Sequence, residues 1–313
     1  MKIAILGSGG VGGYYGGLLA RSGHDVTFLA RGAHLAAIRD HGLRVESVHG
    51  DFVVRPAKAT DDPARAGPVD LVIVAVKSYD LEAVAGAAGP LVGPSTLFLP
   101  LLNGLDAADR LAVHVGGEHV LAGLTHLSSS LAAPGVIRQV SPVRRITFGL
   151  PSLAEGLPSL AEGLPPHAEE VRAALAGAGI EALWTADVNA ALWEKFLFIA
   201  SISGVCCLAR RPMGVVLHTP ETRALYLEAL EEAAALAQAC AVALQPGAVE
   251  RNLRLAESFP PNTRPSLLVA LEAGQRLELE ALSGTVVRSA RHWGVAAPVH
   301  RIVYAALKPS CDP

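Results

Sequence analysis

The chain has 313 residues, enough for two ordinary domains, and just over half of them are apolar, so a sizeable core is available. A formal net charge of −3 and the lack of any like-charge block argue against a nucleic-acid binder that works by neutralising phosphates, and against a polybasic membrane patch. The four cysteines, Cys206, Cys207, Cys240 and Cys311, form no CxxC pair and no disulfide framework, which suits a reducing cytosol and a cytoplasmic protein without a metal site.

In chain order, residues 2–6 read as a strand, residues 10–21 as a helix and residues 25–30 as a second strand. Further β-rich runs fall at 43–46, 52–55, 70–76, 96–100, 119–123 and 146–149. The run LVIVAV is apolar throughout, as a parallel strand covered on both faces should be. The alternation predicts βαβ units and a doubly wound α/β domain of Rossmann type over residues 1–185. Residues 151–157, PSLAEGL, are repeated letter for letter at 158–164, which reads as a slipped duplication in a tolerant surface loop. From about Val188 the β-rich runs stop. Helical stretches at 190–210, 221–242, 248–257, 265–273, 279–292 and 298–307 predict an all-helical domain over residues 186–313. The uncharged run 196–209 is too short to span a bilayer and reads as a buried core helix.

Gly7-Ser8-Gly9-Gly10-Val11-Gly12 matches G-x-G-x-x-G between a strand and a helix, the context in which the string signals a dinucleotide site. Gly7 permits the tight turn, Gly9 a close approach to the pyrophosphate, and Gly12 close helix–strand packing. The second strand, DVTFLA, ends without the acid that binds a ribose 2′-hydroxyl, and Arg31 follows instead. A guanidinium there suits a 2′-phosphate, so NADP(H) is the expected cofactor. Lys77 follows the strand at 70–76 and Asn103-Gly104 follows the strand at 96–100, where ligands of open α/β sheets bind. Lys195 lies in an otherwise apolar helix, ALWEKFLFIAS, and must either reach water along its stem or face a cleft. His126 stands isolated, without the spacing of a metal site.

With these residues in view, the chain resembles the ketopantoate reductases (2-dehydropantoate 2-reductases) over nearly its whole length. GSGGVG, Arg31, VKSYD with Lys77, LLNG with Asn103, LWEKF with Lys195, Pro265-Ser266-Leu267, Glu278, Gly284 and GVAAPVHRIVY carry the resemblance. It implies NADPH-dependent reduction of a 2-oxo acid to a 2-hydroxy acid, as in pantothenate biosynthesis, by a Rossmann domain followed by a helical one. It also implies that Lys195 is the general acid, that Glu278 supports it, that Ser266 helps hold the substrate, and that Lys77 and Asn103 line the nicotinamide end. A small-molecule substrate and a monomer or homodimer are expected, with no nucleic acid or membrane partner.

Desolvation would lower the Lys195 pKa, as would a second cation such as Lys77, while Glu278 would oppose that shift. Glu280, beside Glu278, reads as a solvated acid, and Ser266 could serve instead as a helix cap after Pro265. The family pattern has asparagines where this chain has Ile199, Ser203 and Met213, the last just before Gly214. Ile199 and Met213 predict a substrate pocket less polar than one built for ketopantoate. An opine-type or 3-hydroxyacid-type dehydrogenase and a non-catalytic NADPH sensor are the competing readings. The retained lysines and Glu278 weigh against the sensor.

Overall fold

A computed structural model describes residues 1–151 and 166–311. The second copy of the PSLAEGL repeat, and all of the first but Pro151, lie outside the described residues. The chain divides into two compact units, residues 1–102 with 106–188, and residues 103–105 with 189 onward.

The first unit runs β1 (Lys2–Leu6), α1 (Gly10–Arg21), β2 (Asp25–Leu29), α2 (Gly32–His41), β3 (Leu43–Ser47), β4 (Phe52–Val54), β5 (Lys58–Thr60), α3 (Pro63–Ala66), β6 (Leu71–Val74), α4 (Leu81–Gly86), β7 (Leu97–Pro100) and α5 (Ala107–Val115). It continues with β8 (Ala122–His126), β9 (Ser129–Ala133), β10 (Val136–Gln139), β11 (Arg145–Gly149), α6 (Pro166–Gly177) and β12 (Glu181–Trp184). Strands β5-β2-β1-β6-β7 form a fully parallel sheet. Ile3, Ile5, Phe28, Leu71, Ile73 and Leu99 are wholly buried in it, which accounts for its uninterrupted apolar strands. The order reverses between β1 and β6, the switch point where such sheets bind ligands beyond their strand ends.

The other β-rich runs do not extend this sheet. Strands β4-β3-β10-β9 form a second sheet and β12-β11-β8 a third, both mixed in direction. The third touches the first through a bridge from Phe98 to Val120, with the Leu121 N–H donating to the Phe98 carbonyl at 2.9 Å. Helix α1 packs against two of the sheets, which explains its glycines. A Cβ on Gly16 would come within 2.7 Å of Ile5 and Phe28 on the first sheet. One on Gly13 would come within 2.6 Å of Ile137 on the second, and one on Gly10 within 2.5 Å of the Ser129 carbonyl.

The second unit is built on α7 (Val188–Ala209), α8 (Met213–His218), α9 (Pro220–Ala239), α10 (Ala248–Glu257), α11 (Ser266–Glu272), α12 (Thr285–Trp293) and α13 (Pro298–Leu307). The expected helix over 279–292 is broken by a π-turn at Glu280–Gly284 that leads into α12. At 22 residues, α7 extends beyond the apolar run that marks it in the sequence and could cross a membrane by length and composition. Most of its apolar window is nevertheless buried within the unit, where Phe196, Leu197 and Val205 pack with Tyr226, Leu230 and Val303. Glu232 of α9 is buried and accepts the N–H groups of Val299 (2.7 Å) and His300 (3.0 Å), capping α13 with negative charge where its dipole is positive.

Candidate active site

The turn after β1 carries the first group of residues. Gly7 has φ +93°, and a Cβ there would sit 2.7 Å from Val76 and 2.8 Å from the backbone of Ala75, so the turn lies directly against the exit of β6. A Cβ on Gly12 would strike the Gly7 carbonyl at 2.2 Å. Over Gly9 the space is open: among the described residues, its chain neighbours aside, no atom lies within 4 Å of where a Cβ would stand. Among the described residues the N–H groups of Gly9, Gly10 and Val11 have no hydrogen-bond partner. Ser8 is turned inward, its hydroxyl donating to the Leu29 carbonyl at 3.0 Å. Arg31 is the N-cap residue of α2, two residues past the end of β2. It is exposed, and its guanidinium makes no hydrogen bond or ion pair among the described residues. Asp25, at the far end of β2, is paired with Lys58 at 2.7 Å. Open space over Gly9, free amides at a helix N-terminus and an uncommitted guanidinium fit a dinucleotide with an additional phosphate.

Lys77 is exposed and caps the short 3₁₀ turn Ser78–Asp80 that follows β6. Asn103, half-buried, precedes Gly104 (φ +108°). Residues 103–105 group with the helical unit, and Leu105 packs on its core, whereas Lys77 belongs to the first unit.

In the helical unit, Lys195 is half-buried on α7. Burial lowers its pKa to about 8, and the nearby Glu278 carboxylate opposes the shift without cancelling it. Desolvation therefore prevails over the attraction of the carboxylate, the balance that sequence leaves open. Glu278 is buried, 8% exposed, in the irregular segment just before the π-turn. The neighbouring Glu194 belongs to a different contact: it accepts from Arg251 of α10 at 2.6 Å. Ile199, one turn after Lys195, is half-buried, while Ser203 is fully buried, its hydroxyl without a hydrogen-bond partner among the described residues. Met213 is also buried, and a Cβ on Gly214 would meet Pro261 at 2.6 Å. Ser266 is exposed as the first residue of α11; Pro265 takes the N-cap position, and no side-chain capping bond is made there.

Glu280 does more than the sequence reading gave it. Its side chain is half-exposed, but it is also the hub of a network that takes hydrogen bonds from Arg288, Lys308 and the Tyr304 hydroxyl. Burial pushes its pKa up, but the three donors outweigh burial and hold it below the usual carboxylate range. His34 was not singled out in the sequence. Its ring bonds the Ser8 carbonyl of the glycine turn, and its one available signal is a place three residues after Arg31.

A nucleotide-type parallel sheet in one unit and a desolvated lysine in the helical other define the class, a pyridine-nucleotide-dependent oxidoreductase. Residues 3–152 match the family described as ketopantoate reductase PanE/ApbA, and residues 187–310 match its C-terminal counterpart. The chain belongs to the ketopantoate reductase family and is an oxidoreductase acting on a CH–OH group. It is 34% identical to a 2-dehydropantoate 2-reductase of Halobacterium salinarum over 96% of each chain. It is 31% identical to an uncharacterized oxidoreductase of Bacillus subtilis over 98% of each. The crystal structure of 2-dehydropantoate 2-reductase from Geobacter metallireducens superposes with a TM-score of 0.90 at 31% identity, covering 99% of this chain and 100% of that one.

Proposed function

We propose that this protein reduces the keto group of a 2-oxo acid to a hydroxyl with NADPH, and that the substrate is 2-dehydropantoate or a related, less polar 2-oxo acid. The observation that carries the proposal is Lys195, a lysine whose pKa burial brings to about 8 beside the carboxylate of Glu278. Bound NADPH would supply the hydride. The amides around Gly7, Gly9, Gly10 and Gly12 would hold its diphosphate, and Arg31 its 2′-phosphate. Lys77 and Asn103 would line its nicotinamide end.

Lys195 would donate a hydrogen bond from Nζ to the carbonyl oxygen, stabilise the negative charge that develops there, and pass on a proton as the hydroxyl forms. Glu278 would orient the ammonium and keep its pKa from falling too far to serve as an acid at neutral pH. Ser266, on an exposed helix start, would contact the substrate. Ile199 and Met213, where the family pattern has asparagines, would offer little polarity to a distal hydroxyl, which favours apolar substrates.

The test is a panel of 2-oxo acids, from 2-dehydropantoate to aromatic and branched aliphatic members, with the loss of NADPH absorbance followed over time. Turnover of at least one acid is expected. High efficiency with 2-dehydropantoate and none with apolar acids would refute the preference for a less polar substrate.

A further inference from the structure

His34 lies in the first turn of α2 and takes no part in the chemistry described above. Its Nδ1 accepts the Gly135 N–H at 2.9 Å. A backbone amide can only donate, so Nδ1 carries the lone pair and the ring proton sits on Nε2. Nε2 therefore donates to the Ser8 carbonyl, at 2.7 Å. The ring ties the glycine turn to the tip of the β9–β10 hairpin.

The Ser8–Gly9 peptide is trans, so the Ser8 carbonyl and the Gly9 N–H point in opposite directions. With the carbonyl drawn to His34, the Gly9 N–H is aimed away from it. That N–H has no partner among the described residues, and the space over Gly9 is open. A peptide next to glycine rotates with little steric resistance. If it flipped, a carbonyl oxygen would replace a donor at an anion site. The N–H and hydroxyl of Ser8 both bond the Leu29 carbonyl, at 3.3 and 3.0 Å, so His34 completes the anchoring of this residue.

We propose that His34 is a positioning residue for the cofactor: it locks the Ser8–Gly9 peptide so that the Gly9 amide faces the diphosphate. This rests on the reading of the glycine turn as a dinucleotide site.

The test compares His34→Gln, His34→Asn and His34→Phe. Glutamine can place a donor where Nε2 stands, whereas asparagine can only replace the acceptor at Nδ1. Dissociation constants are measured for NADPH and for adenosine 2′-monophosphate, which lacks the diphosphate, together with KM for NADPH and kcat at saturation. The Asn and Phe variants should bind NADPH about tenfold more weakly, roughly the loss of one hydrogen bond. The Gln variant should stay within about threefold of the unsubstituted protein. Adenosine 2′-monophosphate affinity should hold in all three, and the change should appear in KM for NADPH rather than in kcat.

The proposal is overturned if all three variants bind NADPH as the unsubstituted protein does. It is also overturned if Asn rescues and Gln does not, which would make His34 an anchor for the hairpin, or if both ligands weaken together. Failure of the unsubstituted protein to bind any nicotinamide dinucleotide would instead bring down the dinucleotide reading itself.

Discussion

A lysine free in water loses its proton near pH 10.4, too high to give one up readily at neutral pH. In Lys195 burial brings this down to about 8, and Glu278 limits the fall. As a general acid the residue must carry its proton, so kcat should decline above about pH 8 as Lys195 deprotonates. Glu278→Gln removes the charge that holds the pKa up, so the descending limb should move to lower pH. A pH–rate profile of both proteins checks this, and an unmoved limb would separate Glu278 from Lys195. Stability gives a second readout. Between about pH 8 and the unfolded-state value, the folded protein binds fewer protons at Lys195 than the unfolded chain does. This residue's contribution to stability therefore rises with pH across that window. Urea unfolding of Lys195→Met at pH 7.5 and pH 10 should show that the variant lacks this rise.

The element that organises the nucleotide unit is α1, and its glycines divide by what they touch. Gly10 and Gly13 lie against the second sheet, where an added methyl would meet Ser129 or Ile137. Gly10→Ala and Gly13→Ala should each destabilise the fold by about 1–3 kcal/mol, the range for overpacking a tight contact. Gly9→Ala meets nothing among the described residues, so its Tm should hardly change while NADPH affinity falls. Thermal melts paired with NADPH titrations distinguish the two outcomes. The glycine turn was legible in the sequence because its spacing, the preceding strand and the following helix agree with one another. The second sheet was only half legible: β3 and β4 fall on the β-rich runs at 43–46 and 52–55, whereas β9 and β10 were not marked. Strand β9 reads SSLAA, small and mostly exposed, with no alternation to mark it. The π-turn at Glu280–Gly284 was hidden for the opposite reason: the apolar spacing of 279–292 continues through it, and nothing in that pattern records a change of backbone winding.

For the molecule as a whole, the change from alternating β-rich runs to uninterrupted helical spacing was enough to predict the α/β class followed by helices. How the first-half strands are shared among three sheets was not predictable, because a period-two run does not name its partner. Lys195 was legible as a charge inside an apolar helix, but Glu278 gave no local signal that it would be buried. Because NADPH would bind the folded form alone, it should stabilise the whole protein by mass action, by about 2.7 kcal/mol at a hundred times its dissociation constant. NADH should do so less at equal concentration, and Arg31→Ala should narrow the difference, as melts with each nucleotide would show. The most direct test of the account is steady-state reduction of the 2-oxo acid panel with NADPH by the unsubstituted protein and by Lys195→Ala, alongside NADPH titration of both. The account predicts turnover by the unsubstituted protein and a loss of about 10²- to 10⁴-fold in the variant, with NADPH affinity unchanged. Retained turnover in Lys195→Ala would contradict it.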